Sequence, residues 1–399
     1  VGEAVSLNGG QFSTDGLSYT YVSAAHAHSI YPASGPRAGG TNVSIRATNL
    51  QGGDDYRCNF NGTVVHASLA LDGTALRCTS PEVNGAAKGE VTVAVTLNGQ
   101  DYTVDPLGFA YYDLSMVQAV YPHSGPSRGG TIVSVGGAGL LGGSQPRCRF
   151  TGAINDASLE VVTATTSASV ENEQHLLCHA PALHPLRSTV LEIALNAQQY
   201  TQDSHAFAVH APTEVLGLSP DRGPVDGETR VLLMGRYFDG GTISEYACRF
   251  GEVAISATLV NDSTLACISG NLSLGTHCLE ATLNGQDFTD DCVVFTALPT
   301  SNLSSHIPTS GPVDGDSRVL LLGRHLIEGS DYRCRFAPSA VATNITGAEA
   351  ATLIVESTLQ ADGAGVVCSS PKGGLLPLSY DLSVSINGQQ YTGPVRFEA

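Results

Sequence analysis

One phrase recurs four times along the 399 residues, and it limits the chain to a fold built from repeats. It reads Tyr31-Pro-Ala-Ser-Gly-Pro-Arg-Ala-Gly-Gly-Thr41, then Tyr121-Pro-His-Ser-Gly-Pro-Ser-Arg-Gly-Gly-Thr131, then Ser219-Pro-Asp-Arg-Gly-Pro-Val-Asp-Gly-Glu-Thr229, then Ile307-Pro-Thr-Ser-Gly-Pro-Val-Asp-Gly-Asp-Ser317. Its central glycines, Gly35, Gly125, Gly223 and Gly311, are 90, 98 and 88 residues apart. A second phrase, Leu-Asn-Gly-Gln before an aromatic at Asn98 and Asn284, with Ile replacing Leu at Asn387 and the variants Leu-Asn-Gly-Gly at Asn8 and Leu-Asn-Ala-Gln at Asn196, keeps the same time. Its asparagines, Asn8, Asn98, Asn196, Asn284 and Asn387, are spaced 90, 98, 88 and 103. Two rulers in step make each period one folding unit, since self-similarity at a fixed period marks a repeated structural unit.

Within a period the pattern is all-β. Thr41–Thr48 alternates, with Val43 and Ile45 pointing in and Asn42, Ser44 and Arg46 pointing out. Val91, Val93, Val95 and Leu97 share one face of the next long strand. Asn98-Gly99 is expected to supply the positive-φ residues of a tight hairpin turn, with Tyr102 opening the returning strand. The Ser-Gly-Pro and Gly-Gly groups read as punctuation that stops a first edge strand. No capped stretch with a 3.6-residue period occurs. Six or seven short strands per period, with a turn every 8–12 residues, indicate a β-sandwich.

At this level of detail the units resemble IPT/TIG domains, the immunoglobulin-like fold shared by plexins and some transcription factors. The resemblance rests on Pro-x-x-Gly-Pro-x-x-Gly-Gly-Thr, Tyr-Arg-Cys-x-Phe, Leu-x-Cys-x-Ser-Pro and the closing Asn-Gly-Gln hairpin. Together these motifs cover almost the whole chain. The third unit departs from them, with Glu228 where a glycine is usual and Ser269-Gly270 in place of Ser-Pro. The boundaries that follow are residues 1–27 for the closing hairpin of an incomplete domain and its linker, then domains over 28–115, 116–212, 213–299 and 300–399. The incomplete start implies either the rest of a fifth sandwich upstream or strands contributed by a neighbouring subunit.

Ten cysteines fall two per unit, with one extra pair in the third. One bridge per unit predicts Cys58–Cys78, Cys148–Cys178 and Cys334–Cys368. The third unit allows three pairings, of which Cys248–Cys267 with Cys278–Cys292 is preferred because Cys278 and Cys292 flank their own hairpin. No Cys-x-x-Cys or Cys/His spacing suits zinc. Disulfides imply an oxidising compartment, so the chain is read as secreted or exposed at a cell surface. Six glycosylation sequons agree with that, at Asn42, Asn61, Asn261, Asn271, Asn302 and Asn344.

Composition narrows the function. With 37 acidic and 19 basic residues the net charge is −18, which repels a phosphate backbone and disfavours nucleic acid. No apolar run is long enough to span a bilayer as a helix. The paired histidines His26/His28 and His179/His184 lack a third metal ligand. Asp221 with Asp226, and Asp287 with Asp290 and Asp291, match no calcium loop. No nucleophile elbow, phosphate loop or zincin motif occurs. No catalytic residue, metal site or cofactor is therefore assigned, and the chain is read as a non-enzyme. Tyr56, Tyr246 and Tyr332 recur at one position, which suits a corner role better than a sugar platform.

The linkers are short, so the sequence points to a semi-rigid rod. The functional expectation is an extracellular structural protein that self-associates into a stalk, coat or filament. The alternatives are a receptor or adhesin ectodomain, or a sugar-binding accessory region of a larger enzyme.

Overall fold

The computed structural model describes residues 2–14, 17–83, 89–153, 161–184, 188–339, 351–372, 375 and 379–398. The chain divides into two compact units. The first comprises Val1–His123 with Ser127–Val209, and the second Ser124–Pro126 with His210–Ala399. Strands dominate both; among the described residues the helical segments are two single 3₁₀ turns, Phe238–Gly240 and Ile243–Glu245.

In the first unit, residues 26–112 form an eight-stranded assembly. His26–Tyr31 pairs antiparallel with Asn42–Thr48, which pairs with Ala75–Thr79. Arg57–Phe60 pairs with Gly89–Thr96, and that strand with Leu107–Tyr112. One strand joins the two layers. Thr63–His66 pairs with Arg57–Phe60, while Ala67–Leu69 pairs with Leu76–Cys78. Such a strand turns the corner between two sheets that enclose one core.

The same change of partner recurs in every repeat. Val161–Ser167 faces Arg147–Ala153 while Ala168–Asn172 faces His175–Cys178. In the second unit it happens after Ser256 and after Glu356. At each switch a small residue stands across from a bridged cysteine: Ala67 from Cys78, Ala168 from Cys178, Ala257 from Cys267 and Ser357 from Cys368. A larger side chain there would meet the cystine.

The cysteines are joined as Cys58–Cys78, Cys148–Cys178, Cys248–Cys267, Cys278–Cys292 and Cys334–Cys368. Four of these connect one layer of a repeat to the other. Beside each lies an edge-to-face phenylalanine pair: Phe60–Phe109, Phe150–Phe207, Phe250–Phe295 and Phe336–Phe397, with centroids 5.2 to 5.9 Å apart. The fifth bridge staples the hairpin arms of the third repeat.

The recurring phrase is more than punctuation. After a cis Tyr31–Pro32 bond, Ser34–Pro36 becomes a short strand of its own, parallel to Ala110–Tyr112 in the other layer. Arg222–Pro224 does the same against Thr296–Leu298. A Cβ on Gly35 would lie 2.3 Å from the Thr41 hydroxyl and 3.0 Å from Phe109, so only glycine fits. Gly39 has φ of +72° and Gly227 of +85°, and a Cβ on either would strike the main chain at 80–82 or 269–270.

Candidate functional site: where phrase and hairpin meet

The closing hairpin departs from the expected turn. Only the second residue has a positive φ, as in Gly99 (+74°) and Gly388 (+75°), and the asparagine acts through its side chain. Asn98 Oδ1 accepts the Gln100 and Asp101 N–H groups at 3.1 and 2.9 Å, and its Nδ2 donates to Asp101 at 2.9 Å. Asn8, Asn196, Asn284 and Asn387 close the same ring of bonds. Tyr102 forms a single bridge with Thr96, and the returning strand proper starts at Leu107.

Within each unit a closing hairpin docks on the phrase of the preceding repeat, and in the second unit Asn284 Nδ2 also donates to the Ser124 carbonyl at 2.9 Å. In the first unit Asn196 is 1% exposed, and its Nδ2 lies 3.3 Å from both the Ser34 carbonyl and the Thr41 hydroxyl. Thr41 donates to Gln199 Oε1 at 3.3 Å. Gln198 grips main chain: its Oε1 accepts the Asn42 N–H at 3.0 Å and its Nε2 donates to the Asn42 carbonyl at 2.9 Å. Ser34 Oγ adds bonds to Ser144, accepting its N–H at 2.7 Å and donating to its hydroxyl at 2.9 Å.

The second unit repeats the arrangement with the third phrase and the fourth hairpin. Asn387 Nδ2 is 3.5 Å from the Thr229 hydroxyl, which donates to Gln390 Oε1 at 3.0 Å. Gln389 accepts the Arg230 N–H at 2.7 Å and donates to its carbonyl at 2.8 Å. Gln390 Nε2 donates to the Glu228 carbonyl, and Arg222 Nη1 donates to the Glu328 carbonyl at 2.7 Å. The Asp221 carboxylate holds that arginine at 3.0 Å, and hydrogen bonding to Arg222 pulls the carboxyl below its ordinary range. Thr41 and Thr229 are completely buried. Each joint therefore satisfies its buried polar groups with neutral carboxamides and hydroxyls.

Other residues singled out by sequence lie apart from the joints. His26 and His28 share the exposed face of a strand rather than an extended linker, and His26 Nδ1 is 3.3 Å from Asp105. His179 and His184 are exposed. Asp291 accepts the Val215 N–H at 2.6 Å, and Asp226 accepts the Thr300 hydroxyl. Among the described residues no three His, Cys, Asp or Glu side chains converge as a metal site. The recurring tyrosines pin corners: Tyr56 donates to the Leu50 carbonyl at 3.0 Å, Tyr246 to Phe238 at 2.7 Å, and Tyr332 accepts the Gly329 N–H at 2.8 Å. Of the sequon asparagines, Asn42, Asn61, Asn261, Asn271 and Asn302 are exposed, while Asn344 lies outside the described residues. The first unit also has a crevice of about 630 Å³ lined by Glu90, Tyr112, Asp113, Leu141 and Glu173. Burial pushes the Tyr112 hydroxyl well above its usual range, which keeps it protonated.

The profile of the family described as IPT/TIG domain matches residues 25–111 and 212–297. Those two stretches are IPT/TIG domains. The first holds the strands and phrase of one joint, and the second those of the other. Mouse plexin-A3 is 24% identical over 234 residues, covering 58% of this chain and 12% of the plexin. Mouse fibrocystin-L is 23% identical over 326 residues, covering 77% of this chain and 7% of that protein. The solved plexin A4 full extracellular region overlays with a TM-score of 0.38 at 14% identity, covering 91% of this chain and 36% of that one. The chain thus spans a small part of the relatives it matches. The five disulfides place these domains outside the cytosol, in an extracellular or cell-surface setting. No helix among the described residues is long and apolar enough to cross a membrane.

Proposed function

We propose that the chain is a non-catalytic region of a cell-surface receptor ectodomain, whose IPT/TIG repeats space and orient binding surfaces for protein partners. One observation carries this reading above a self-assembling filament. The plexin-A3 alignment runs for 234 residues, more than twice the 88- to 98-residue spacing of the phrase, so the likeness spans consecutive repeats. The joints support it too, because carboxamides that fix one repeat on the next suit a spacer. The exposed sequons at Asn42, Asn61, Asn261, Asn271 and Asn302 are proposed to carry glycans, and a glycan on Asn42 would stand at the rim of the first joint.

Labelling intact source cells with a membrane-impermeant amine reagent tests the reading, followed by recovery of the labelled protein and its complete transcript. A labelled polypeptide that partitions with membranes, and loses mass on enzymatic deglycosylation, is expected. Recovery as a released polymer, with filaments in electron micrographs and no membrane-bound form, would overturn it in favour of the structural reading.

A further inference from the structure

The two joints show what a phrase is shaped to receive, and the fourth phrase presents the same shape uncovered. Gly311-Pro-Val-Asp-Gly-Asp-Ser-Arg318 repeats Gly223-Pro-Val-Asp-Gly-Glu-Thr-Arg230 with two conservative changes, Asp316 for Glu228 and Ser317 for Thr229. The backbone is preserved through them, since Glu228 has φ of +62° and Asp316 of +63°. Gly315 sits at +82° against the Pro371 carbonyl, as Gly227 sits at +85° against Ser269 and Gly270. Exposure differs. Thr41 and Thr229 are completely buried and Ser34 is 1% exposed, whereas Ser317 is half-buried and Ser310 is exposed.

We propose that Ser310–Arg318 is a docking surface for the Asn-Gly-Gln-Gln hairpin of another IPT/TIG repeat. The third phrase receives that hairpin at Asn387–Gln390, and each contact has its counterpart here. The asparagine and last glutamine would meet the Ser317 hydroxyl, the middle glutamine would grip the Arg318 main chain, and the last glutamine would donate to the Asp316 carbonyl. The surface also rejects the exposed hairpins of this chain. Asn98-Gly-Gln-Asp101 ends in a carboxylate, which cannot donate to the Asp316 carbonyl as the last carboxamide would. Asn8-Gly-Gly-Gln11 lacks the middle carboxamide. A second copy of the chain therefore has no free hairpin that fits.

The test appends a second copy of residues 300–399 after the full chain and follows hydrogen exchange across residues 308–320. In both joints the hairpin belongs to the repeat that follows the phrase, so the appended copy is in the right order. The Arg318 amide is expected to exchange at least tenfold more slowly than in the unextended chain. Changing the appended copy's counterpart of Gln389 to Ala should abolish that protection. Among the described residues the Gln389 side chain bonds only to Arg230 main chain, so this change leaves the fold of the repeat intact, and Gln389→Ala at the internal joint calibrates the readout at Arg230. Equal exchange with and without the appended copy, or equal protection by its Gln→Ala form, would overturn the proposal. So would concentration-dependent protection in the unextended chain that Asn98→Ala removes, which would give the surface to a second copy.

Discussion

The joint in the first unit and the joint in the second use the same carboxamides on the same phrase positions, yet their rims share nothing. Around the first lies a pair of serine hydroxyls, Ser34 and Ser144. Around the second lies Arg222, tethered by Asp221 and donating to Glu328. The first has two glycines, Gly39 and Gly40, ahead of its threonine, and its hairpin strains Ala197 to φ of +60°. The second strains Glu228 instead and places Gly388 in its hairpin. What must be kept is the set of groups that buries the threonine and caps the hairpin. The rim and the location of backbone strain are free to drift.

Alanine at Gly39 or Gly227 should do the most damage, because either adds a Cβ at positive φ within 2.7 Å of main chain. Each should lower stability by about 3 kcal/mol in urea denaturation, from the left-handed conformation and the clash together. A large loss at only one would show that the two phrases are not equivalent. Next come the asparagines. Asn196→Ala and Asn387→Ala each strip a buried carboxamide from a turn and a joint, an expected cost of about 2 kcal/mol. Asn98→Ala, at an exposed hairpin, loses only the turn, about 1 kcal/mol. Equal losses at all three would mean that docking contributes nothing.

Relieving strain should act with opposite sign and smaller size. Ala197→Gly in the first joint and Glu228→Gly in the second should each stabilise by about 1 kcal/mol. Either change, read as a raised melting temperature, should help only its own unit. Acid sharpens the difference between the rims. The Asp221 carboxyl titrates below its unfolded value because Arg222 hydrogen-bonds to it. Its contribution is complete above about pH 4 and fades as pH falls through the lower folded value. Exchange at Arg230, corrected for intrinsic rate, should therefore speed up slightly between pH 5 and pH 3. Asn42, bonded by neutral groups alone, should hold steady.

Much of this architecture can be read from the chain, because alternation and turn residues are local signals. Val43 and Ile45 face the core as their alternation requires. The cysteine pairs follow from their count in three of the four periods, and in the third from the place of Cys278 and Cys292 on the two arms of one hairpin. The role of Asn98 does not: Asn-Gly between strands reads as a two-residue turn, and the bonds its Oδ1 accepts from the Gln100 and Asp101 amides need a longer loop. The joint is harder still. Asn196 and Ser34 are 162 residues apart, and neither shows that it will be buried by the other. The one available sign was that phrase and hairpin recur with the same spacing. That coincidence shows that both belong to each repeat, but not that they mate across the boundary between repeats. Ser34–Pro36 was legible as a break and illegible as a strand, since a parallel partner some 75 residues away leaves no local trace.

The cystines between layers also set how far these repeats can be pulled. Cys58 and Cys78 are 20 residues apart along the chain, and Cys148 and Cys178 are 30 apart. At about 3.4 Å per residue those loops hold roughly 70 and 100 Å of chain that tension cannot release while the bonds persist. A surface protein under load from a neighbouring cell would yield in shorter steps for that reason, and each step would lengthen when thiols reduce the bridge. Single-molecule pulling with and without reductant should show the difference directly, and steps of equal length in both would mean that tension never unfolds the layers the cystines join.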